Sequence, residues 1–287
     1  MKKLNFIIKC GLALLLLSFY SCESWLNVTP SDRLSEEMLF NDREGFVKAL
    51  NGVYIELNTN ELYGRNLTAG ALDVMGQYYS VASSSHAFYN YGGLVYTGND
   101  EKALFDNMWQ KCYAVIACCN TIIEKCDENK AGLSPVWRGS IKGEALALRA
   151  MLHFDMLRLF GPLTSELDKE SIPYQTNSDQ TVTPLLSGSE VVGLILDDLK
   201  NAVGLLKDTD PYFVEEEFSD TDLNYRRFRM NYFAAKGLMA RVQLWGGDKE
   251  KAAATAKEVI AEGQAEGAEF FPFVTNSEAT SSNPDRV

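Results

Sequence analysis

The chain has 287 residues, 46% of them hydrophobic and 23% charged, and a formal net charge of -12. This is the composition of an ordinary globular protein with a sizeable core, in one domain or two small ones. The acid excess repels phosphate backbones and anionic headgroups, which sets nucleic acid aside as a partner.

The first element in chain order is an export signal. Met1-Lys2-Lys3 is positive, Cys10 to Tyr20 is apolar and too short to cross a bilayer as a permanent helix, and Ser21 is a small residue before Cys22. A cysteine directly after the cut predicts a bacterial lipoprotein with Cys22 as the acylated N-terminus, so residues 1–21 read as its signal peptide. The box is loose, because Phe19-Tyr20 stand where leucine and a small residue are usual, and an ordinary secretory signal is the competing reading. Cleavage removes three lysines (Lys2, Lys3, Lys9) and no acid, which takes the formal charge from -12 to -15.

Helical periodicity then dominates. Asp42 is placed to cap a helix with the stripe Phe46, Leu50, Val53, Tyr54 and Leu57. Asn99 or Asp100 is placed to cap a longer one, with Leu104, Met108, Cys112, Val115, Cys119, Ile122 and Cys126 inward and Trp109, Tyr113 and Ile116 beside them. From Ile141 to Phe160 the chain is apolar nearly all round and predicts a central buried helix, stopped by Gly161-Pro162. Ser187 to Glu190 is a capping-box pattern before Val192, Ile195, Leu199, Ala202 and Leu206. A helix from about Arg229 to Trp245 breaks at Gly246-Gly247, and Asp248 caps a partner with Ala252, Ala256, Val259 and Ile260 inward. That pair resembles a tetratricopeptide unit of about 34 residues, which needs neighbours to cover its apolar face. The fold expected is all-α, with right-handed stacking of tetratricopeptide-like helix pairs and long irregular loops.

Six cysteines reduce to four once Cys10 leaves with the signal and Cys22 is acylated. Cys112, Cys119 and Cys126 share one helix face, about 10 Å apart at the helical rise, too far for a disulfide within the helix. No histidine lies near them and the spacing matches no zinc motif, so these three and Cys118 read as small buried hydrophobes. Neither metal nor cofactor is implied.

Three long connections remain. Gly76 to Gly98 holds five tyrosines, Phe88 and a Ser83-Ser84-Ser85 run; Pro162 to Ser189 is polar; Asp208 to Asp222 carries Glu215-Glu216-Glu217, read as a solvated face.

Several stretches together resemble the RagB/SusD family of outer-membrane nutrient-binding lipoproteins of Bacteroidetes. They begin with Cys22-Glu-Ser-Trp-Leu-Asn-Val-Thr-Pro30, Leu62 to Thr68 with Leu72 to Met75, and Trp109-x3-Tyr113-x2-Ile116-x3-Asn120-x-Ile122-Ile123. The most specific is Gly143-Glu-Ala-Leu-Ala-Leu-Arg-Ala-Met-Leu-His-Phe-Asp-Met-Leu-Arg-Leu-Phe-Gly161, similar to the family's GEA-x-x-LRA-x-x-YFDL-x-R-x-FG run. Ile172-Pro-Tyr174, Ile195 to Ala202 and Ala234 to Leu244 with Gly-Gly-Asp248 follow in order. His153 stands where an aromatic is usual, and family members are about twice this length, so the chain reads as an N-terminal half ending in the polar stretch Pro284 to Val287. On that resemblance residues 22–225 are the SusD-like N-terminal region, and 226–287 the tetratricopeptide-like hairpin with the start of a missing C-terminal region.

The resemblance implies capture without catalysis. Such proteins sit on the cell surface, lipid-anchored at the outer membrane, and hand oligosaccharides or peptides to a SusC-like TonB-dependent transporter. The residues are compatible: sugar C–H faces suit aromatic rings and hydroxyl edges suit amides. The candidate ligand residues are Tyr78, Tyr79, Tyr89, Tyr91 and Tyr96, with Phe88, Gln77 and Asn90 in the same loop. The opposing expectation is that these rings pack the loop onto the helices. The charges of the central helix read structurally: Asp155 pairs with Arg158, while Glu144 and Arg149 fix packing. His153 needs a partner but is no catalytic pair with Asp155, since positions two apart on a helix point apart. A helical-repeat adaptor that binds only protein is the alternative class, and an all-helical glycosidase a third. The chain shows no nucleophile elbow, zinc motif or phosphate loop.

Overall fold

The computed structural model describes residues 36–179 and 181–264, with Thr275, Ser277 and Thr280. The expected signal, Cys22 and the stretch 284–287 lie outside the described residues. The chain divides into a unit of residues 1–39, described only at the helical turn α1 (Glu36–Leu39), and a unit of residues 40–287, which holds all that follows.

Among its described residues the larger unit is helical but for one small strand pair. In order come α2 (Arg43–Leu57), α3 (Ala71–Met75), α4 (Tyr89–Gly92), α5 (Asn99–Glu128), α6 (Pro135–Phe160), β1 (Glu170–Pro173), β2 (Leu185–Ser187), α7 (Gly188–Thr209), α8 (Asp220–Arg226), α9 (Tyr232–Trp245) and α10 (Lys249–Gly263). Helix α6 is the hub. It packs most extensively on α7, then on α5, and touches α2, α9 and β1. Its start is set locally: the Ser134 hydroxyl accepts from Trp137 N–H at 3.3 Å and Pro135 opens the first turn. Buried residues lie nearly all round it, as its near-continuous apolar pattern predicts. Two glycines let α7 approach. A Cβ on Gly143 would stand 2.8 Å from Leu206 Cγ, and one on Gly139 2.6 Å from Thr209 Cγ2.

Most caps fall where the sequence puts them. Asp42 accepts from Gly45 N–H at 2.8 Å, Asp248 from Lys251 N–H at 3.0 Å, and Ser187 and Glu190 close a full capping box. Other expectations need correction. Helix α5 is preceded by Gly98, so neither Asn99 nor Asp100 is its cap. Helix α9 begins three residues late, because Asn231 caps it through Ala234 N–H at 2.9 Å and Arg229 is held elsewhere. On α7 Val191 is buried in place of Val192, and on α10 Ile260 faces outward while Thr255 turns in to Gln243 at 2.9 Å. Cys112, Cys119 and Cys126 are buried, but Cys118 is exposed, a quarter turn off that face.

The polar 162–189 loop hides antiparallel β1 and β2, with Glu170 opposite Ser187 and Pro173 opposite Leu185. The pair lays Ile172 and Tyr174 into the core beside α6 and α7.

Candidate functional site

Two concavities compete for function. The larger, about 470 Å³, lies between α2, α6 and α8, with walls of Trp137, Phe218, Tyr225 and Phe228. Its charged groups are spent on one another. The Glu144 carboxylate accepts from the Tyr54 hydroxyl at 2.5 Å, from Arg229 Nε at 2.7 Å and from Arg226. Arg226 also forks Asp210, at 3.0 and 2.6 Å, and Asp210 takes Tyr232 N–H at 2.9 Å. Burial pushes the Glu144 carboxyl up, but the two guanidiniums outweigh it and hold it below the usual range. This network ties α2, α6, α7 and α9 together, so the conspicuous charges of this concavity serve packing, and its remaining polar lining includes Asn51, Ser140, Thr221 and Asp222.

The second concavity, about 410 Å³, lies inside the tyrosine-rich loop and is lined by Gln77, Tyr79, Ser80, Tyr89, Asn90 and Val95, among others. Two helix ends build it. Helix α3 closes with Gln77 N–H on Val74 C=O (3.1 Å) and Tyr78 N–H on Asp73 C=O (2.9 Å); α4 closes with Leu94 N–H on Tyr91 C=O (3.1 Å) and Val95 N–H on Asn90 C=O (2.9 Å). Both are Schellman motifs, whose left-handed position usually falls to glycine. Here Gln77 (φ 62°) and Leu94 (φ 53°) hold it. The Gln77 side chain offsets its strain by bridging the two motifs: Nε2 donates to Gly92 C=O at 3.0 Å and Val74 C=O at 3.3 Å. Asn90 is held from behind, its Nδ2 donating at 2.7 Å to the buried Glu101 carboxylate.

The five tyrosines separate here. Tyr79 and Tyr89 line the concavity, 53% and 42% exposed. Tyr78 is 80% exposed but lies outside its lining. Tyr91 is 2% exposed and packs on Phe88, Tyr96 and Phe105 at centroid distances of 5.9, 6.4 and 6.0 Å. Tyr96 is half-buried and meets Phe105 edge-on at 5.5 Å. Tyr91 has almost no exposed ring to offer a ligand and packs on helix α5, while Tyr96 packs on the same helix and stays partly exposed; burial raises both hydroxyl pKa values. Glu101 was not singled out by sequence; its place in the first turn after Gly98 was the available signal. Its carboxylate folds over Gly98, where any Cβ would collide with it.

The remaining conspicuous residues are structural. Arg149 forks Asp198 with two contacts of 2.7 Å and reaches Asn120 at 2.8 Å. Arg158 pairs with Asp155 at 2.9 Å, and the Tyr63 hydroxyl donates to Asp155 at 2.6 Å. His153 is fully buried, stacked on Tyr174 at 4.0 Å. Its Nε2 accepts from Gln175 N–H at 3.0 Å, so Nδ1 carries the proton and donates to Arg149 C=O at 3.0 Å. Among the described residues no His, Cys, Asp and Glu cluster is placed to hold a metal ion, and no helix is long and apolar enough to cross a membrane.

A family profile described as "Starch-binding associating with outer membrane" matches residues 24–244. The chain belongs to the SusD-like family. It is 25% identical over 265 residues to SusD-like protein P2 of Formosa agariphila, covering 90% of this chain and 46% of that relative. A SusD-like protein of Bacteroides ovatus is 30% identical over 50% of this chain and 23% of its own. The chain spans less than half the length of these SusD-like relatives. Among solved structures, a SusD-like carbohydrate binding protein from Bacteroides vulgatus superposes with a TM-score of 0.64 at 23% identity, over 83% of this chain and 47% of that one. A laminarin binding SusD-like protein gives 0.57 at 18% identity, over 76% and 43%. These likenesses carry the fold: helical, and shared with the SusD superfamily.

Proposed function

We propose that this chain belongs to a surface lipoprotein that captures oligosaccharide without altering it. Cys22 is its lipid anchor at the outer membrane, facing outward, and a SusC-like TonB-dependent transporter receives the ligand. Residues 22–225 supply the binding face and 226–287 the tetratricopeptide-like hairpin. The observation that carries the reading is the pairing of two partly exposed rings, Tyr79 and Tyr89, with two amides, Gln77 and Asn90, around one open concavity. Rings match the C–H faces of a sugar and amides match its hydroxyl edges. The reading also fits the family description and the carbohydrate-binding relatives.

Affinity electrophoresis of the purified chain through gels containing starch, laminarin or xylan tests it. Retardation by at least one glycan, lost in Tyr79→Ala/Tyr89→Ala, is the expected result; a base–aromatic-sized loss of about 1–3 kcal/mol per ring is tenfold or more in affinity. Retention by a glycan that survives the double substitution removes the loop from the site. No retention by any glycan favours the protein-binding adaptor.

A further inference from the structure

The two amides of the concavity are not interchangeable donors and acceptors. An amide offers both an NH2 and a carbonyl oxygen, and which one it presents is decided by what holds the other end. Gln77 gives its NH2 to the carbonyl oxygens of Gly92 and Val74, which only accept. Asn90 gives its NH2 to Glu101, and that hydrogen bond lowers the Glu101 pKa, so it stays an ionised acceptor at neutral pH. Neither side chain can turn over without setting oxygen against oxygen. Each therefore keeps its carbonyl oxygen free, and neither oxygen accepts from any described protein donor. No Lys, Arg or His lines the concavity. The charged side chain bonded to a lining amide is the Glu101 carboxylate, behind Asn90.

Resting on the reading that this loop meets ligand, we infer that the site selects uncharged, hydroxyl-rich chains and rejects anionic sugars. A hydroxyl donates to Gln77 Oε1 and Asn90 Oδ1. A carboxylate or sulfate at the same place meets two acceptors and a negative charge, with no cation to replace its lost water. The overall acid excess of the chain adds repulsion of the same sign at long range. Glu101 is thus a positioning residue: it sets which face of Asn90 the ligand sees. The left-handed backbone at Gln77 is consistent with this, because glycine would close that turn without strain but would give no oriented amide.

The test measures binding of malto- and laminari-oligosaccharides against the same chains with C6 oxidised to carboxylate, by titration calorimetry on the purified chain. At least one neutral oligosaccharide is expected to bind about tenfold or more tighter than its oxidised counterpart. Glu101→Gln keeps the shape but lets Asn90 turn over, and is expected to shrink that ratio at least about threefold. Asp100→Asn removes an equal charge next door without touching Asn90, and is expected to leave most of the ratio intact. Equal affinity for neutral and oxidised chains overturns the inference. So does an Asp100→Asn variant that erases the preference as fully as Glu101→Gln, since bulk charge then explains it. If Tyr79→Ala/Tyr89→Ala abolishes binding while the preference is absent, the loop remains the site and only the selectivity fails. If binding survives that double substitution, or no chain binds, the site itself is wrong.

Discussion

His153 makes a quantitative test of the core. It is buried with both nitrogens engaged, and burial, against a helix that also carries Arg149, lowers its pKa from 6.5 to about 3. In the unfolded chain the imidazole titrates normally, near 6.5. The folded value is depressed, so the unfolded state binds the extra proton. Stability is therefore full above about pH 6.5 and is lost as pH falls toward about 3. Between about pH 7.5 and about pH 5.5 the loss from this one group is about 1.4 kcal/mol, a tenfold change in the folding equilibrium. Ordinary carboxylates scarcely titrate in that window, and the only other histidine, His86, is exposed. Urea unfolding at the two pH values, for the natural chain and for His153→Phe, checks it. The variant is less stable at both, because Gln175 N–H loses its acceptor, but its pH slope is flat. Equal slopes in the two proteins, or an imidazole resonance of His153 that titrates near pH 6.5 in the folded state, refutes the reasoning.

Two further substitutions probe the hub helix. Arg149→Met strands the buried Asp198 with little but the Tyr174 hydroxyl at 2.5 Å, and is expected to cost about 3–5 kcal/mol by denaturant unfolding, most of it recovered in Arg149→Met/Asp198→Leu; a single-variant loss under about 1 kcal/mol contradicts this. Gly143→Ala forces a Cβ to 2.8 Å from Leu206 Cγ and 3.2 Å from Ala202 C=O, so overpacking of about 1–3 kcal/mol outweighs a helix-propensity gain of about 1 kcal/mol. Gly237→Ala, with open space at the same position on α9, keeps only the gain and raises the melting temperature.

The candidate loop was legible in part. Its tyrosines, Gln77 and Asn90 stand out by composition, but sequence treats the five rings alike. The rings of Tyr91 and Tyr96 are claimed by Phe105, which belongs to helix α5, and Phe105 in turn meets Phe160 at the end of α6. Nothing within the loop announces that. The strands β1 and β2 were missed for a related reason: four and three residues carry too little alternation to register, and their pairing across a dozen residues is what makes them strands.

The caps at Asp42, Ser187 and Asp248, the approximate spans of the long helices and the all-α class were legible in the sequence alone, because a hydroxyl or carboxylate three residues from an unpaired N–H and an apolar step of three or four are local properties. Tertiary structure alone decided that Glu144 answers Arg226, 82 positions away, and that Asn90 gives its NH2 to Glu101. Charge pairing and amide orientation depend on which distant groups the packing brings within about 3 Å, and a linear chain carries no record of that distance.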